Sequence, residues 1–301
     1  MMILVSGSHG LIGSALVPFL MTNGHRVVRL VRTTQGQPSN EPHIFWNPAA
    51  SVLNTSEFPA PDAVVHLAGE SIADGRWTQE RKARIRDSRV TGTRGLCEAL
   101  TRLPQPPRVI ICASAIGYYG HRERQLLTES SQKGSGFLAD LCEVWERAME
   151  PAVRYGIRVV QLRIGVVLSP MGGALAKMLV PFRLGLGGPL GNGRQVMSWI
   201  AIDDAIRAIH HALVTERLQG PVNLVAPHAV TNREFARILG RVLARPAIMS
   251  VPACALRLLF GELANEALLA SANVLPTKLS ETGYSFRFPE LEGALRHLLG
   301  D

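Results

Sequence analysis

Short apolar runs alternate along this chain with longer stretches whose apolar residues recur at helical spacing. Residues 2–6, Met-Ile-Leu-Val-Ser, form a run too short for a helix and well suited to a buried strand. Comparable runs occur at 25–32, 63–69, 108–114, 157–168 and 222–225, with a shorter one at 44–46 stopped by Asn47-Pro48. Residues 14–23 predict a helix ended by Gly24. Thr78 predicts the N-cap of a helix that includes 81–90 and continues toward Leu100. In 137–155, Phe137, Leu141, Trp145, Ala148 and Ala152 keep one helical face apolar. Residues 200–204 start a helix through Leu213 with an Asp cap, and Thr231-Asn232-Arg233-Glu234 reads as a capping box for a helix to Leu243. Residues 256–272 form an apolar helical stretch broken by charges, and 275–299 predict a small helical cap.

Strands alternating with helices in this way predict an α/β fold, a doubly wound parallel sheet. At Ser169 the composition changes. Gly172, Gly173, Gly185, Gly187, Gly188, Gly191 and Gly193 mark a loop-rich region. The expected organisation is a sheet domain over 1–170, with 195–226 returning to it. Segments 171–194 and 227–301 would form a smaller, mostly helical substrate or cap region.

The first strand runs directly into Gly7-Ser8-His9-Gly10-Leu11-Ile12-Gly13 and then into the first helix. Glycines at these three positions allow a tight turn, close approach of a pyrophosphate and close packing of helix on strand. The amides opening the helix attract anionic oxygens. This context points to a dinucleotide cofactor. NAD-selective folds place an Asp or Glu about 20 residues past the glycines to hold the ribose 2′-hydroxyl. Here no acid occurs between Gly13 and Glu41; Arg29 and Arg32 close the second strand instead, Arg32 nearer its carboxyl end. A guanidinium fork suits a 2′-phosphate, so the expected cofactor is NADP.

Composition narrows the remaining classes. The 301 residues are 47% hydrophobic, which fits a globular chain. The net charge is +8, but only four of the 32 basic residues are lysines, and the arginines are scattered. Without a basic tail or an aromatic-interleaved patch, the charge reads as solubility and affinity for phosphate-bearing small molecules, not nucleic acid. No apolar stretch is long enough to span a membrane and no signal peptide is evident. Cys97, Cys112, Cys142 and Cys254 lack metal-ligand spacing, so no metal is expected, and a reducing cytoplasm suits them. The expected state is a monomer or homodimer.

Candidate chemistry gathers at the carboxyl ends of the apolar runs, where open α/β sheets bind ligands. Ala68 and Gly69 are small enough for a cofactor to approach closely. His66 reads as a structural imidazole ending a buried strand. Ser114, Tyr118 and Tyr119 carry hydroxyls that can polarise a carbonyl or pass a proton. Arg163 lies inside a strand and needs a partner. The arginine-rich stretch 70–94 is either an anion-binding wall or a solvated face paired with Glu80 and Asp87.

The glycine loop, His66-Leu67-Ala68-Gly69-Glu70, and Ser114-Ala115-Ile116-Gly117-Tyr118-Tyr119-Gly120 occur in an order that resembles the extended short-chain dehydrogenase/reductase superfamily. More closely, the chain is similar to its epimerase family branch, described as NAD-dependent epimerase/dehydratase-like. Gly75-Arg76-Trp77, Ser88-Arg89-Val90-Thr91-Gly92-Thr93, Trp145-Glu146, Leu275-Pro276-Thr277-Lys278-Leu279 and Phe286-Arg287-Phe288-Pro289 carry the likeness, the last two in a small C-terminal domain of unknown function. The resemblance implies a Rossmann-type fold and NADP binding by Gly7, Gly10, Leu11, Ile12, Gly13 and Arg32, with Leu67, Ala68 and Gly69 near the nicotinamide. Arg29, Glu70 and Arg86 complete the candidate cofactor contacts. Ser114 takes the position of the superfamily's catalytic serine.

The superfamily also uses a tyrosine followed four residues later by a lysine, and no such pair exists here. The helix that would carry it begins Phe137-Leu138-Ala139-Asp140-Leu141-Cys142. Tyr118 or Tyr119 would then be the acid/base, with Arg163, Glu146 or Arg86 as neighbours. Arg76, Trp77 and Lys82, with Gln195 and Trp199 beside the glycine-rich loop, would shape the substrate pocket. Two functions follow as expectations. One is an NADP-dependent reductase or epimerase-like enzyme exchanging a hydride with a small carbonyl or hydroxyl substrate. The other is a weak or inactive NADPH-sensing regulator acting through a protein partner.

Overall fold

Seven parallel strands form the centre of the computed structural model, which describes residues 1–31, 42–47, 52–53 and 60–300. In chain order the main-sheet elements up to the sixth strand are β1 (Met2–Ser6), α1 (Leu11–Thr22), β2 (Arg26–Val31), β3 (His43–Asn47), β4 (Val52–Leu53), β5 (Ala63–His66), α2 (Gln79–Thr101) and β6 (Val109–Ala115). There follow β7 (Leu126–Leu127), α3 (Phe137–Arg147), α4 (Glu150–Tyr155), β8 (Arg158–Ile164), β9 (Val166–Leu168), α5 (Gly173–Arg183), β10 (Val196–Met197), β11 (Trp199–Ala201), α6 (Ile202–Val214) and β12 (Gly220–Leu224). The chain closes with β13 (Val230–Thr231), α7 (Asn232–Val242), α8 (Ala253–Phe260), β14 (Asn273–Val274), α9 (Thr277–Glu281) and α10 (Leu291–Leu299). Strand order is β12-β8-β6-β5-β1-β2-β3-β4, with only the two-residue β4 antiparallel. From β1 the chain first builds outward through β2 and β3, then returns to β5 and builds the other way. The direction reverses between β1 and β5, and a crevice opens there at the carboxyl edge.

Strand alternation divides the core into two layers. Ile3, Val5, Val65, Ile111 and Leu162 face α1 and α6. Leu4, Val64, Ile110 and Val159 face α2 and α4. A third core joins α5, α7 and α10 around Trp199, Phe235 and Leu295. Only part of the tail joins that third core. α9 packs on β12, Leu279 is fully buried in the α1/α6 layer, and Tyr284 and Phe286 pack against the same layer.

Several predicted elements form, with changes that have local causes. Thr78 Oγ1 accepts from Arg81 N, and Thr231 Oγ1 accepts from Glu234 N, so both predicted caps are present. The helix expected over 137–155 divides into α3 and α4 where Pro151 can begin a helix but cannot continue one. The run at 157–168 divides at Gly165, whose Cβ would lie 2.7 Å from Ser198 O. Beyond it β9 leaves the main sheet to pair with β11. The loop-rich region contains the eleven-residue α5. The apolar stretch from 256 ends as a regular helix at Gly261 (φ +60°), followed by a π-helical turn, Ala264–Leu268.

The Asp cap expected for α6 is absent, because Asp204 does another task. Its carboxylate is wholly buried and accepts from Tyr284 Oη at 3.0 Å, Arg287 N at 2.8 Å and Phe288 N at 2.8 Å. It clasps the returning tail to α6. Asp204→Ala removes the shared acceptor of two backbone amides and the Tyr284 hydroxyl and is expected to destabilise the protein by about 3 kcal/mol. Urea unfolding measures that loss, and limited proteolysis should cut the variant's tail near residues 284–288 first. An unchanged midpoint and cleavage pattern would refute the clasp.

Candidate functional site

The crevice between β1 and β5 is shaped by glycine. Gly7 has φ +69°, and a Cβ there would sit 2.7 Å from Leu67 C. A Cβ on Gly13 would lie 2.2 Å from Gly7 O. The turn from β1 to α1 therefore touches both the end of β5 and the helix with no room for side chains. Gly10 N donates to Gly7 O at 3.0 Å, and Gly10 caps α1 without a side-chain hydrogen bond. The first-turn amides of α1, those of Leu11 and Ile12 included, are left for an anion. The Leu11 side chain turns away onto Gly172 and Gly173, and Ile12 packs on the core. A cavity of about 460 Å³ lies over this turn, walled by Gly7, Gly10, Val31, Leu67, Ala68 and Gly69. A dinucleotide fits this cradle, since each clash a Cβ would make is space the glycines keep open. Arg29 lies half-buried on β2, opposite His43. Arg32 falls outside the described residues.

Below the crevice two polar rows cross the sheet. In the first, Ser6 is in register with His66, and His66 with Cys112. Ser6 Oγ lies 2.6 Å from His66 Nδ1, His66 Nε2 lies 3.2 Å from Thr93 Oγ1, and Trp145 Nε1 donates to that hydroxyl at 3.0 Å. Burial lowers the His66 pKa to about 4, so the imidazole is neutral at physiological pH. This bonded histidine is structural, as its strand position suggests.

The second row holds Ser114, Arg163 and Asn223, which face one another on β6, β8 and β12. Arg163 Nε and Nη2 each donate to Glu146 at 2.8 Å, a bidentate pair, and Ser114 Oγ donates to the same carboxylate at 2.8 Å. Arg163 Nη1 donates to Tyr119 Oη at 3.0 Å, and that hydroxyl donates to Asn223 Oδ1 at 2.7 Å. The Arg163 guanidinium also covers the Tyr118 ring at 3.5 Å. The proton-transfer role expected of Tyr119 is therefore corrected. Its side chain is completely buried, burial raises its pKa despite Arg163, and its hydroxyl is consumed by the network. Tyr118 has a ring face occupied, and Ser114 is 2% exposed and committed to Glu146.

Beside this network lies a second cavity of about 260 Å³ between α3, α5 and the π-helical turn. Leu138, Leu141 and Cys142 of α3 form one wall, where the Tyr–Lys pair would stand if this helix carried it. Burial pushes the Cys142 thiol up to about 12, which leaves it protonated and unreactive. Arg89 connects the two cavities. It lines the apolar pocket, its guanidinium carbon lies 3.3 Å from where a Gly69 Cβ would be, and Nη1 donates to Glu70 O at 2.9 Å. Glu266, in the π-helical turn, accepts from Leu138 N at 3.1 Å and caps α3 from across the pocket.

The residues expected to shape a substrate pocket are placed otherwise. Trp199 is completely buried in the third core, its Nε1 donating to His228 O. Arg76 donates to the carbonyls of Leu258 and Leu259 at the end of α8, and Lys82 pairs with Glu262. Trp77 packs edge-on against Phe137, its Nε1 donating to Ile72 O. These three fasten the 70–82 segment to neighbouring elements. Gln195 is buried and joins Leu190 O to Leu268 O. Glu70 borders the crevice, but its carboxylate turns toward Arg81 and Arg84. Arg86 is exposed on α2; Arg89, nearly one turn later, is the arginine that reaches the site. The helical spacing from the buried Ile85 was the available signal, since i+4 shares its face. Glu146 was signalled by the lone charge at Arg163, while Asn223 and Glu266 had no local signal.

A sequence profile described as the NAD dependent epimerase/dehydratase family matches residues 3–225, and one described as a domain of unknown function, DUF1731, matches 251–298. An epimerase family protein of Mycobacterium bovis is 43% identical over 291 residues, spanning 97% of this chain and 95% of the relative. The solved structure of human epimerase family protein SDR39U1, isoform 2, with NADPH is 36% identical, with a TM-score of 0.90 and full coverage of both chains. A UDP-glucose 4-epimerase of Thermotoga maritima, solved with UDP-glucose, has a TM-score of 0.78 at 20% identity, covering 100% of this chain and 98% of its own; it shares the fold. No described helix is long and apolar enough to cross a membrane.

The buried imidazole makes stability depend on pH. Folded His66 titrates near 4 and an unfolded histidine near 6.5, so unfolding takes up a proton between these values. The contribution is complete above pH 6.5 and declines as pH falls toward 4, by about 1.4 kcal/mol per unit. Urea unfolding at pH 7 and 5 should show a smaller decline for His66→Gln than for the parent. Equal declines would place the proton uptake elsewhere.

Proposed function

Because this chain belongs to the NAD dependent epimerase/dehydratase family, we propose that it is an NADP(H)-binding reductase or epimerase-like enzyme acting on a small carbonyl or hydroxyl compound. The glycine cradle over the uncapped start of α1 carries this reading. Its amides would hold the pyrophosphate, and Arg29 with Arg32 would receive a 2′-phosphate where no acid is available to select NAD. The NADPH in the solved human relative supports the same choice. Leu67, Ala68 and Gly69 would border the nicotinamide half, which when bound supplies or accepts a hydride. Ser114 is the candidate hydroxyl that remains for the substrate oxygen. It adjoins pocket-lining Ala115, and its hydroxyl, which donates to Glu146 in this structure, would turn to donate to the substrate oxygen. Arg163 holds Glu146 in place.

The regulator reading has one observation in its favour. The α3 face beside the pocket presents Leu138, Leu141 and a protonated Cys142 where acid/base groups would act. Fluorescence titration and turnover separate the two. NADPH should bind at least roughly tenfold more tightly than NADH, and Arg32→Glu should abolish the difference. Ser114→Ala should lower NADPH oxidation with a carbonyl panel by about 100-fold at unchanged NADPH affinity. Unchanged turnover would remove Ser114 from the mechanism, and tight binding without turnover in the parent would favour the regulator.

A further inference from the structure

The second cavity has walls that define its occupant. We propose that it binds a neutral, largely apolar aldehyde, ketone or alcohol without sugar or phosphate groups, its oxygen directed toward Arg89. The proposal rests on the reading of the neighbouring crevice as the NADP(H) site only for the reaction; the class of occupant stands on the pocket itself.

Most of the lining is aliphatic, from Leu138 and Leu141 on one side to Val166, Met178 and Met197 on the other. The polar side chains among them are mostly engaged already. Ser198 Oγ donates to Ala272 O at 2.8 Å and accepts from Val274 N at 2.9 Å. Asn232 Oδ1 accepts from Leu190 N at 2.7 Å, and its Nδ2 lies 3.1 Å from Met197 Sδ. Two groups keep capacity. Arg89 donates through Nη1, leaving Nε and Nη2 without a hydrogen bond among the described residues. Glu266 accepts through Oε2, leaving Oε1. A sugar ring needs a partner for each of several hydroxyls, and these walls have too few. One carbonyl or hydroxyl is matched by Arg89, with Glu266 able to accept from a second hydroxyl.

Size and enclosure agree. At about 260 Å³ the cavity exceeds the roughly 150 Å³ apolar cavity that holds benzene and falls below the usual drug-sized pocket. A separate cleft lined by Arg124, Arg194 and Arg257 has the charge for a phosphate, but it lies behind a wall. Residues 190, 196, 268 and 270 face the apolar pocket, while 191, 195, 269 and 271 face the cleft. Gln195 ties the wall together through its bonds to Leu190 O and Leu268 O. One ligand cannot place a diphosphate in the cleft and its reactive end in the pocket while that wall stands.

The test uses prodan, a neutral naphthyl ketone whose emission moves to the blue in apolar surroundings. It should bind the whole protein, with or without NADPH, and show blue-shifted emission. Met178→Glu, which places a carboxylate on the apolar wall, should weaken prodan binding at least roughly tenfold. The variant's NADPH affinity, within about twofold of the parent's, reports that it is folded. Millimolar UDP-glucose should not displace prodan from the parent. As a second variant, Arg89→Met should retain prodan but reduce the preference for the ketone over its deoxygenated analogue. Absence of the blue shift in the parent, displacement by UDP-glucose, equal prodan binding by Met178→Glu, or an unchanged preference in Arg89→Met would each overturn the proposal. If prodan binds as expected but NADPH does not, the cofactor reading fails while the pocket assignment stands.

Discussion

The bidentate bond between Arg163 and Glu146 is the constraint on which the site depends. Both groups are nearly buried, at 4% and 10% side-chain exposure, so each would be an uncompensated charge without the other. The pair joins four parts of the chain. Arg163 comes from β8 and Glu146 from α3, while Ser114 and Tyr119 belong to the end of β6 and the turn that follows it. Removing either partner of such a pair typically destabilises a protein by about 3–5 kcal/mol. Here the same loss would release the carboxyl end of β6 and the helix bordering the apolar pocket. A strand charge that would be a liability alone thus fixes the distance between sheet and helix.

Much of the architecture was legible because its causes are local. Apolar runs and Gly7, Gly10 and Gly13 identify the strands and the cradle, and Thr78 and Thr231 mark their helices through bonds to amides three residues away. The errors share a different cause. The Asp cap expected in 200–204 does not form, and Asp204 is instead held by tail residues 284–288, remote in sequence. Trp199 resembled a substrate contact and Tyr119 an acid/base, but their surroundings are assembled from distant segments and bury them completely. Arg89 differed from the neighbouring Arg86 only in the direction its helix faces. Local chemistry identifies groups capable of a task, whereas tertiary packing decides which of them reach the site.

The two cavities differ as their walls do. The crevice presents main-chain amides and small residues, suited to a long polar ligand held by its backbone-facing oxygens. The second presents hydrocarbon, with Arg89 standing where the two meet. A guanidinium there stays charged at every physiological pH, so its donors do not come and go as a tyrosine–lysine pair's protons do. The junction of the two cavities therefore carries a fixed charge.

The placement of Leu279 has a consequence for how the molecule is made. Its side chain completes the core layer over β12, a cover supplied only after α7 and α8 have followed in sequence. A polypeptide emerging amino end first exposes β1, β5 and β6 before α9 can cover β12. Such distant closure favours slow completion of the native state and a long interval in which the growing chain displays uncovered hydrocarbon. The edge strand β12 thus keeps part of its apolar face uncovered until the segment that follows α8 has been made.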